Sequence, residues 1–379
     1  MSNAGISTEE LRAAVREFLE AECDLIAVRQ SADRPAGHLD VLWRKMAELG
    51  WLGLAIDERH GGLGLGLTEL GAISEELGRA LVPLPVGPTL LAGEAIRIAG
   101  SATQQAQWLP PLAAGTRRAS LVLPAVGPTL ALDSQGGLHG MIECVLDADR
   151  VDDLLLPVRD SAGRWWLAII ARESAGVHIE SRPAIDLTRT LADITLSGVS
   201  AGPETLMALE DRSWSALIDR AAVLTACDAI GGATHILERT IAYLGTRVQF
   251  DRPIGSFQAL KHRAATWKIL VESVTALTRH AAELTGSADA ESATTASSAK
   301  FTACDAYVAI AGDAVQLHGG IGFTWDHECH LFLKRAHLNA VLHGRSRQHR
   351  ERLAALAFGD LLTTSHPEHR FLLAPGMSI

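Results

Sequence analysis

Three groups of residues in this chain have types and spacings that could do chemistry. The first is the glycine-rich run Gly61-Gly62-Leu63-Gly64-Leu65-Gly66. Such a run cradles a dinucleotide pyrophosphate when it follows a strand and opens a helix. Here the residues before it, from Asp40 to Gly50, have a helical pattern, so the context fails. The run is expected to be a flexible turn, with Thr68 capping a helix that continues through Leu81. The second group is the cysteines, Cys23, Cys144, Cys227, Cys304 and Cys329. They are scattered, odd in number and form no CxxC pair, which fits buried, reduced thiols. The third is the histidines. His318, His327 and His330 show no metal-ligand pattern with carboxylates or cysteines, so no metal site is expected.

Composition narrows the functional classes. Of 379 residues, 47% are hydrophobic and 21% charged, which is enough apolar material for two or three globular domains. Lys plus Arg number 34 and Asp plus Glu 44, a formal charge of −10. No basic run is interleaved with aromatics, so nucleic acid is not an expected partner. No apolar stretch approaches the ~20 residues of a membrane span. Met1 to Glu10 is polar without a signal-peptide pattern, so a cytoplasmic protein is expected.

Apolar periodicity gives the elements that must position these residues. Ser7-Thr8-Glu9-Glu10 is a capping-box pattern, followed by Leu11, Val15 and Phe18 at helical spacing. Pro83 to Pro88 separates two further helices, the second near Leu90 to Ala99, and Pro110-Pro111 with Gly115 close the region. From about Arg118 the pattern changes. Leu121-Val122-Leu123, Leu154-Leu155-Leu156 and Trp165 to Ala171 are short apolar runs of strand type. Helical signal returns after Glu204, with Leu217, Ala221 and Leu224 on one face. Phe257, Leu260, Ala264, Trp267, Val271 and Val274 alternate spacings of three and four, a packing seam for a long antiparallel bundle. Cys304, Val308, Ala311 and Val315 repeat it, after a polar turn at Gly286 to Ser292. The expected fold is α+β, mainly α: an N-terminal helical domain over 1–117, a β domain over 118–203 and a C-terminal helical bundle over 204–379.

Four stretches, in order, resemble the acyl-CoA dehydrogenase family. They are Leu49-Gly50-Trp51-Leu52-Gly53-Leu54 through Gly64; Glu75-Glu76-Leu77-Gly78-Arg79; Arg247-Val248-Gln249-Phe250-Asp251-Arg252-Pro253-Ile254-Gly255 with Phe257-Gln258; and Gln316-Leu317-His318-Gly319-Gly320-Ile321-Gly322-Phe323. The resemblance implies FAD as cofactor, bound through Arg247, Phe250, Gln258, Gln316, Gly319 and Gly320. An arginine can hold a pyrophosphate by bidentate, charge-assisted hydrogen bonds, an aromatic ring supplies an apolar wall, and glycines let a ligand approach the backbone. In the family these contacts reach the ADP half of the FAD held mainly by the neighbouring subunit, and each flavin ring is held by its own subunit's β domain.

Parts of the family pattern are missing. The signature resembling Thr-Glu-x-x-Gly-Ser-Asp is replaced by a shortened Leu121 to Thr129, and the Gly-x-Lys strand reads Gly140-Met141-Ile142. The family's glutamate base matches His343 in most members and Ala221 in a minority; Asp219 lies two residues away, on another side of the helix. The pattern implies a non-catalytic subunit of a heteromeric acyl-CoA dehydrogenase, in an α2β2 assembly resembling actinobacterial enzymes that desaturate steroid side-chain thioesters. A second acyl-CoA dehydrogenase subunit would then carry the catalytic glutamate, acyl-CoA would be the substrate and an electron-transfer flavoprotein the acceptor. Two alternatives remain open at this stage: a self-sufficient homo-oligomeric enzyme with His343 as its base, and a non-redox acyl-thioester binder.

Overall fold

The computed structural model describes residues 7–24, 28–29, 37–123, 130–287 and 291–358. Among the described residues, the helices α1 (Thr8–Glu22), α2 (Gly37–Glu48), α3 (Leu67–Arg79), α4 (Val86–Ala99) and α5 (Ala102–Ala113) come first. The capping box at α1 forms as its sequence dictates. The Ser7 hydroxyl accepts from the Glu10 N–H, and the Glu10 carboxylate accepts from the Ser7 N–H at 2.8 Å.

Several local expectations are corrected. Helix α3 begins at Leu67, so Gly66 and not Thr68 stands at its cap; the Glu69 carboxylate reaches back to the Gly66 N–H at 2.8 Å. The glycine run is a packed turn. A Cβ on Gly62 would lie 2.0 Å from the Ile56 carbonyl oxygen, so glycine is required for close packing of the chain on itself. Pro110 and Pro111 lie inside α5, near its C-terminal end, and do not terminate it.

The middle of the chain forms one eight-stranded sheet in the order β6-β7-β3-β2-β4-β5-β8, with β1 paired to β4. Its strands are β1 (Ala119–Leu121), β2 (Ala131–Leu132), β3 (Gly137–Leu146), β4 (Asp153–Asp160), β5 (Trp165–Ala171), β6 (Val177–Arg182), β7 (Leu191–Ser200) and β8 (Leu206–Ala208). β8 pairs with β5, so the sheet runs past the boundary expected at 203. β5 takes one edge of β4, leaving β1 and β2 end to end along the other. Residues 124–129, most of the segment standing in place of the family signature, lie outside the described residues.

The C-terminal helices are α6 (Asp211–Thr246), α7 (Gln258–Gly286), α8 (Ser292–His318), α9 (Cys329–Val341) and α10 (Ser346–Phe358). A short hairpin, β9 (Val248–Gln249) and β10 (Arg252–Pro253), links α6 to α7. Helices α3 and α6 cross at backbone contact. A Cβ on Gly231 would sit 1.8 Å from the Glu75 carbonyl oxygen, and one on Gly78 would sit 2.1 Å from that of Asp228. The two carboxylates beside Gly78 anchor neighbouring helices. Glu75 accepts from Arg12 of α1 and Arg279 of α7, and Glu76 accepts from Arg16 of α1.

The seam expected along α7 is buried in its second half, at Val271 and Val274. Phe257, Leu260, Ala264 and Trp267 remain partly exposed, and Ile269 is 69% exposed. Among the described residues the first half of α7 is thus only partly covered, with Trp267 packed against the helical core.

Candidate functional site

The positions singled out in the sequence fall into two places with opposite character. One is a cavity inside the chain. It lies where α3, α4, the sheet, α6 and the end of α9 meet, and its lining includes Ser74, Ser120, Arg189, Thr225, Asp228 and His343. Its volume is about 60 Å³.

The two candidate base positions converge here. The Thr225 hydroxyl is 2.7 Å from the Ala221 carbonyl oxygen and 2.8 Å from His343 Nδ1. A carbonyl can only accept, so the hydroxyl donates to it and receives the Nδ1–H, leaving Nε2 as the bare nitrogen of a neutral imidazole. Ala221 is buried and offers no titratable side chain. Asp219 pairs with Arg352 at 2.5 Å and does not line the cavity.

His343 is held in an unusual backbone conformation, φ 52°, followed by Gly344 at φ 105°. Non-glycine residues adopt this left-handed region only when their surroundings hold them there. The surroundings do so. His349 Nε2 donates to the His343 carbonyl at 3.0 Å, and the buried Lys300 ammonium donates to the carbonyls of Asn339 at 2.9 Å and Gly344 at 3.1 Å. Burial, with the nearby Lys300 charge, pushes the His343 imidazole down to about 3. Relative to a base poised near neutrality, that costs about 5 kcal/mol of driving force for taking a proton.

Below the cavity, buried charges tie the sheet to the helices. Arg335 of α9 pairs with Asp186 at 2.8 Å and Asp228 at 3.0 Å, and also donates to Thr188. The Asn339 amide donates to Asp228 at 2.6 Å. Arg189 donates to the Leu84 carbonyl of the N-terminal region and stands 3.5 Å from Asp147.

The second place faces outward. Tyr243 of α6 stacks on His318 at the end of α8, ring centroids 4.4 Å apart, which sets the ends of these two helices side by side. Arg247 follows Tyr243, and Gly319 follows His318. Arg247 is exposed and forms no ion pair among the described residues. Phe250 sits at the hairpin tip with φ 53° and is 86% exposed. Gln258 and Gln316 are exposed as well. Gly319 has φ 63° and ψ −142°, a conformation open to glycine alone. A Cβ on either Gly319 or Gly320 would meet nothing of this chain within 4 Å. At Gly320, nothing among the described residues demands a glycine. Ile321, Phe323 and Trp325 extend the exposed apolar surface.

One expectation is corrected here. His318 and His327 do lie beside a cysteine: their ring nitrogens and the Cys329 sulfur fall within 4.8 Å of one another. The His318 Nδ1–H is used by the Ala314 carbonyl at 2.8 Å, and burial raises the Cys329 thiol to about 12. The Cys329 sulfur also lies 3.4 Å from His318 Nδ1, so both side chains are engaged within the chain.

The family comparisons rest on both halves of this arrangement. An acyl-CoA dehydrogenase N-terminal domain model matches residues 7–116, and an acyl-CoA dehydrogenase C-terminal domain model matches residues 214–357. The chain belongs to the acyl-CoA dehydrogenase family. The acyl-CoA dehydrogenase IpdE2 of Mycolicibacterium smegmatis is 34% identical over 357 residues, 92% of this chain and 98% of the relative. Among solved structures, the ChsE4-ChsE5 complex of Mycobacterium tuberculosis superposes with a TM-score of 0.86 at 25% identity, covering 94% of this chain and 98% of that one. A steroid acyl-CoA dehydrogenase variant, Tcur3481-Tcur3483, gives a TM-score of 0.84 at 26% identity, over 92% and 97%. FAD is the cofactor of the family.

Within this acyl-CoA dehydrogenase, Thr225, Lys300, Arg189 and His349 escaped the sequence reading. One signal was available for Lys300. It is a lone lysine on the small-residue face formed by Ala296, Ala299 and Ala303, all buried. A cation among such neighbours is retained for a specific contact.

Proposed function

We propose that this chain is the non-catalytic subunit of a heteromeric, FAD-dependent acyl-CoA dehydrogenase. It contributes to FAD binding across a subunit interface and leaves the α,β-desaturation of the acyl-CoA thioester to a partner subunit carrying the glutamate base. The observation that carries this reading is the cavity at the family's base position. At about 60 Å³ it is far below the ~300–1,000 Å³ of a typical cofactor or ligand pocket. The Arg189 guanidinium lines it, and its histidine is too weakly basic for the reaction. A self-sufficient enzyme using His343 is correspondingly disfavoured.

The outward face supports the other half of the reading. FAD, when bound, supplies the hydride acceptor for the partner's reaction. Arg247 would take its pyrophosphate, and Phe250 would wall it on the apolar side. Gln258 and Gln316 would pair with polar groups of the adenosine half, and the Gly319-Gly320 backbone would lie against it. Each of these residues is exposed and open in this chain, as a group serving a neighbour must be. The partly covered first half of α7 and the exposed Phe250, Phe323 and Trp325 give the partner an apolar surface to bury. The ChsE4-ChsE5 complex and the Tcur3481-Tcur3483 steroid acyl-CoA dehydrogenase agree with such an assembly and with a steroid-derived thioester as the partner's substrate. Electron-transfer flavoprotein would be the acceptor of the assembled enzyme.

The test is flavin stoichiometry. Purified alone, the chain is expected to be colourless; co-purified with its partner subunit, the complex should hold about one FAD per two chains. One FAD per chain in the isolated protein would overturn the reading.

A further inference from the structure

The polar groups lining the cavity beneath His343 are underused. Arg189 is buried, yet its contacts among the described residues are a hydrogen bond to the Leu84 carbonyl and an ion pair stretched to 3.5 Å with Asp147. Asp147 Oδ2 in turn accepts no hydrogen bond. Arg335, by contrast, is saturated by Asp186, Asp228 and Thr188. Ser74 also lines the cavity. It is 4% exposed, and its hydroxyl has no hydrogen-bond partner among the described residues. A buried guanidinium with spare N–H donors and a buried hydroxyl without a bond each cost stability unless an acceptor meets them.

The chemistry that would satisfy both groups is narrow. The guanidinium presents a planar fork of donors, and the serine adds one more; a planar oxyanion with two acceptor oxygens fits that set. Asp228 is bonded by Arg335 and Asn339, and a bound carboxylate would share Arg189 with Asp147, which stands 3.5 Å from it. The neutral imidazole of His343 adds no competing charge. A volume of about 60 Å³ corresponds to on the order of four water sites, enough for a carboxylate with one or two carbons behind it.

We infer that this cavity is a carboxylate-binding pocket in which Arg189 and Ser74 take the two oxygens of a short carboxylate. The inference rests on the reading that the chamber holds no flavin ring of its own. The carboxylate could arrive free, as a short-chain acid, or as the far end of a dicarboxylic acyl thioester; both present the same head group.

The test uses the flavin-free chain purified alone. Isothermal titration calorimetry with sodium acetate and sodium propionate, against sodium chloride at equal ionic strength, should give saturable binding for the carboxylates and none for chloride. Glutaryl-CoA and butyryl-CoA separate the two sources. Tighter binding of glutaryl-CoA than of acetate identifies the thioester-borne carboxylate, and binding of acetate or propionate without a glutaryl-CoA preference over butyryl-CoA identifies the free acid. Arg189→Met should abolish carboxylate binding. Ser74→Ala, which removes one hydroxyl and should fold in any case, should weaken it about tenfold. Absence of saturable binding by acetate, propionate and glutaryl-CoA, or a Ser74→Ala protein that binds as well as the parent, would overturn the inference. Either result leaves the flavin-sharing reading intact, which stands or falls on flavin stoichiometry.

Discussion

The neutral histidine at the family's base position should leave a signature in stability against pH. His343 is depressed to about 3 by burial and by Lys300, and His349 to about 3 by the same causes. In the unfolded chain both titrate near 6.5. Between about pH 3 and pH 6.5 the unfolded state therefore binds protons that the folded state refuses. Stability is fully present above about pH 7 and falls as the pH drops through this window. At pH 5 each histidine costs about 2 kcal/mol, so the pair costs about 4 kcal/mol. Replacing His343 with Gln removes one of the two. Urea denaturation at pH 7.5 and pH 5.0 measures the effect: the parent should lose about 2 kcal/mol more between the two conditions than His343→Gln, the carboxylates contributing alike to both. An equal loss in the two proteins, or an NMR titration midpoint for His343 near 6.5, would refute the reasoning. In the assembled, flavin-loaded complex the same variant should turn over within twofold of the parent. A hundredfold fall would restore His343 as the base.

Arg335→Met leaves Asp186 and Asp228 buried without their cation and should cost about 3–5 kcal/mol in urea denaturation; a cost under about 1 kcal/mol would mean that the ion pairs do not hold sheet and helices together. Gly231→Ala drives a methyl group into the Glu75 carbonyl and should destabilise the chain by about 3 kcal/mol or more, read as a fall in the thermal midpoint. Arg247→Gln should leave the midpoint of the isolated chain unchanged while the co-purified complex retains at least tenfold less FAD after dialysis. Ser7→Ala removes the cap of α1 and should cost about 1 kcal/mol, measured by denaturant titration.

Much of the fold is local, and the local part is readable. Ser7 and Glu10 specify the start of α1, and the apolar run from Trp165 to Ala171 is strand β5 to the residue. The outward face proposed to meet the cofactor draws its residues from two contiguous segments, which is why they could be singled out together. What escaped depends on contacts between segments distant in sequence. Thr225 meets His343, Lys300 reaches the Gly344 carbonyl, and Arg189 reaches Leu84. No periodicity encodes such pairings. Glycine misled for the same reason. The run from Gly61 to Gly66 was expected to be a flexible turn, whereas at Gly62 a neighbouring carbonyl stands 2.0 Å from where a Cβ would be. The seam along α7 was seen as pattern, but no pattern says which half a single chain covers and which it leaves partly exposed.

The exposed apolar side chains have a consequence for how the protein must be made. A chain presenting Phe250 at 86% exposure, Phe323 at 81% and Ile269 at 69% carries adhesive surface for as long as it stays alone. Its solubility and lifetime then depend on how much complementary chain is present. Under the proposed two-subunit assembly, surplus copies would self-associate or be degraded, and the yield of soluble protein should rise with the dose of the partner until the two are equal.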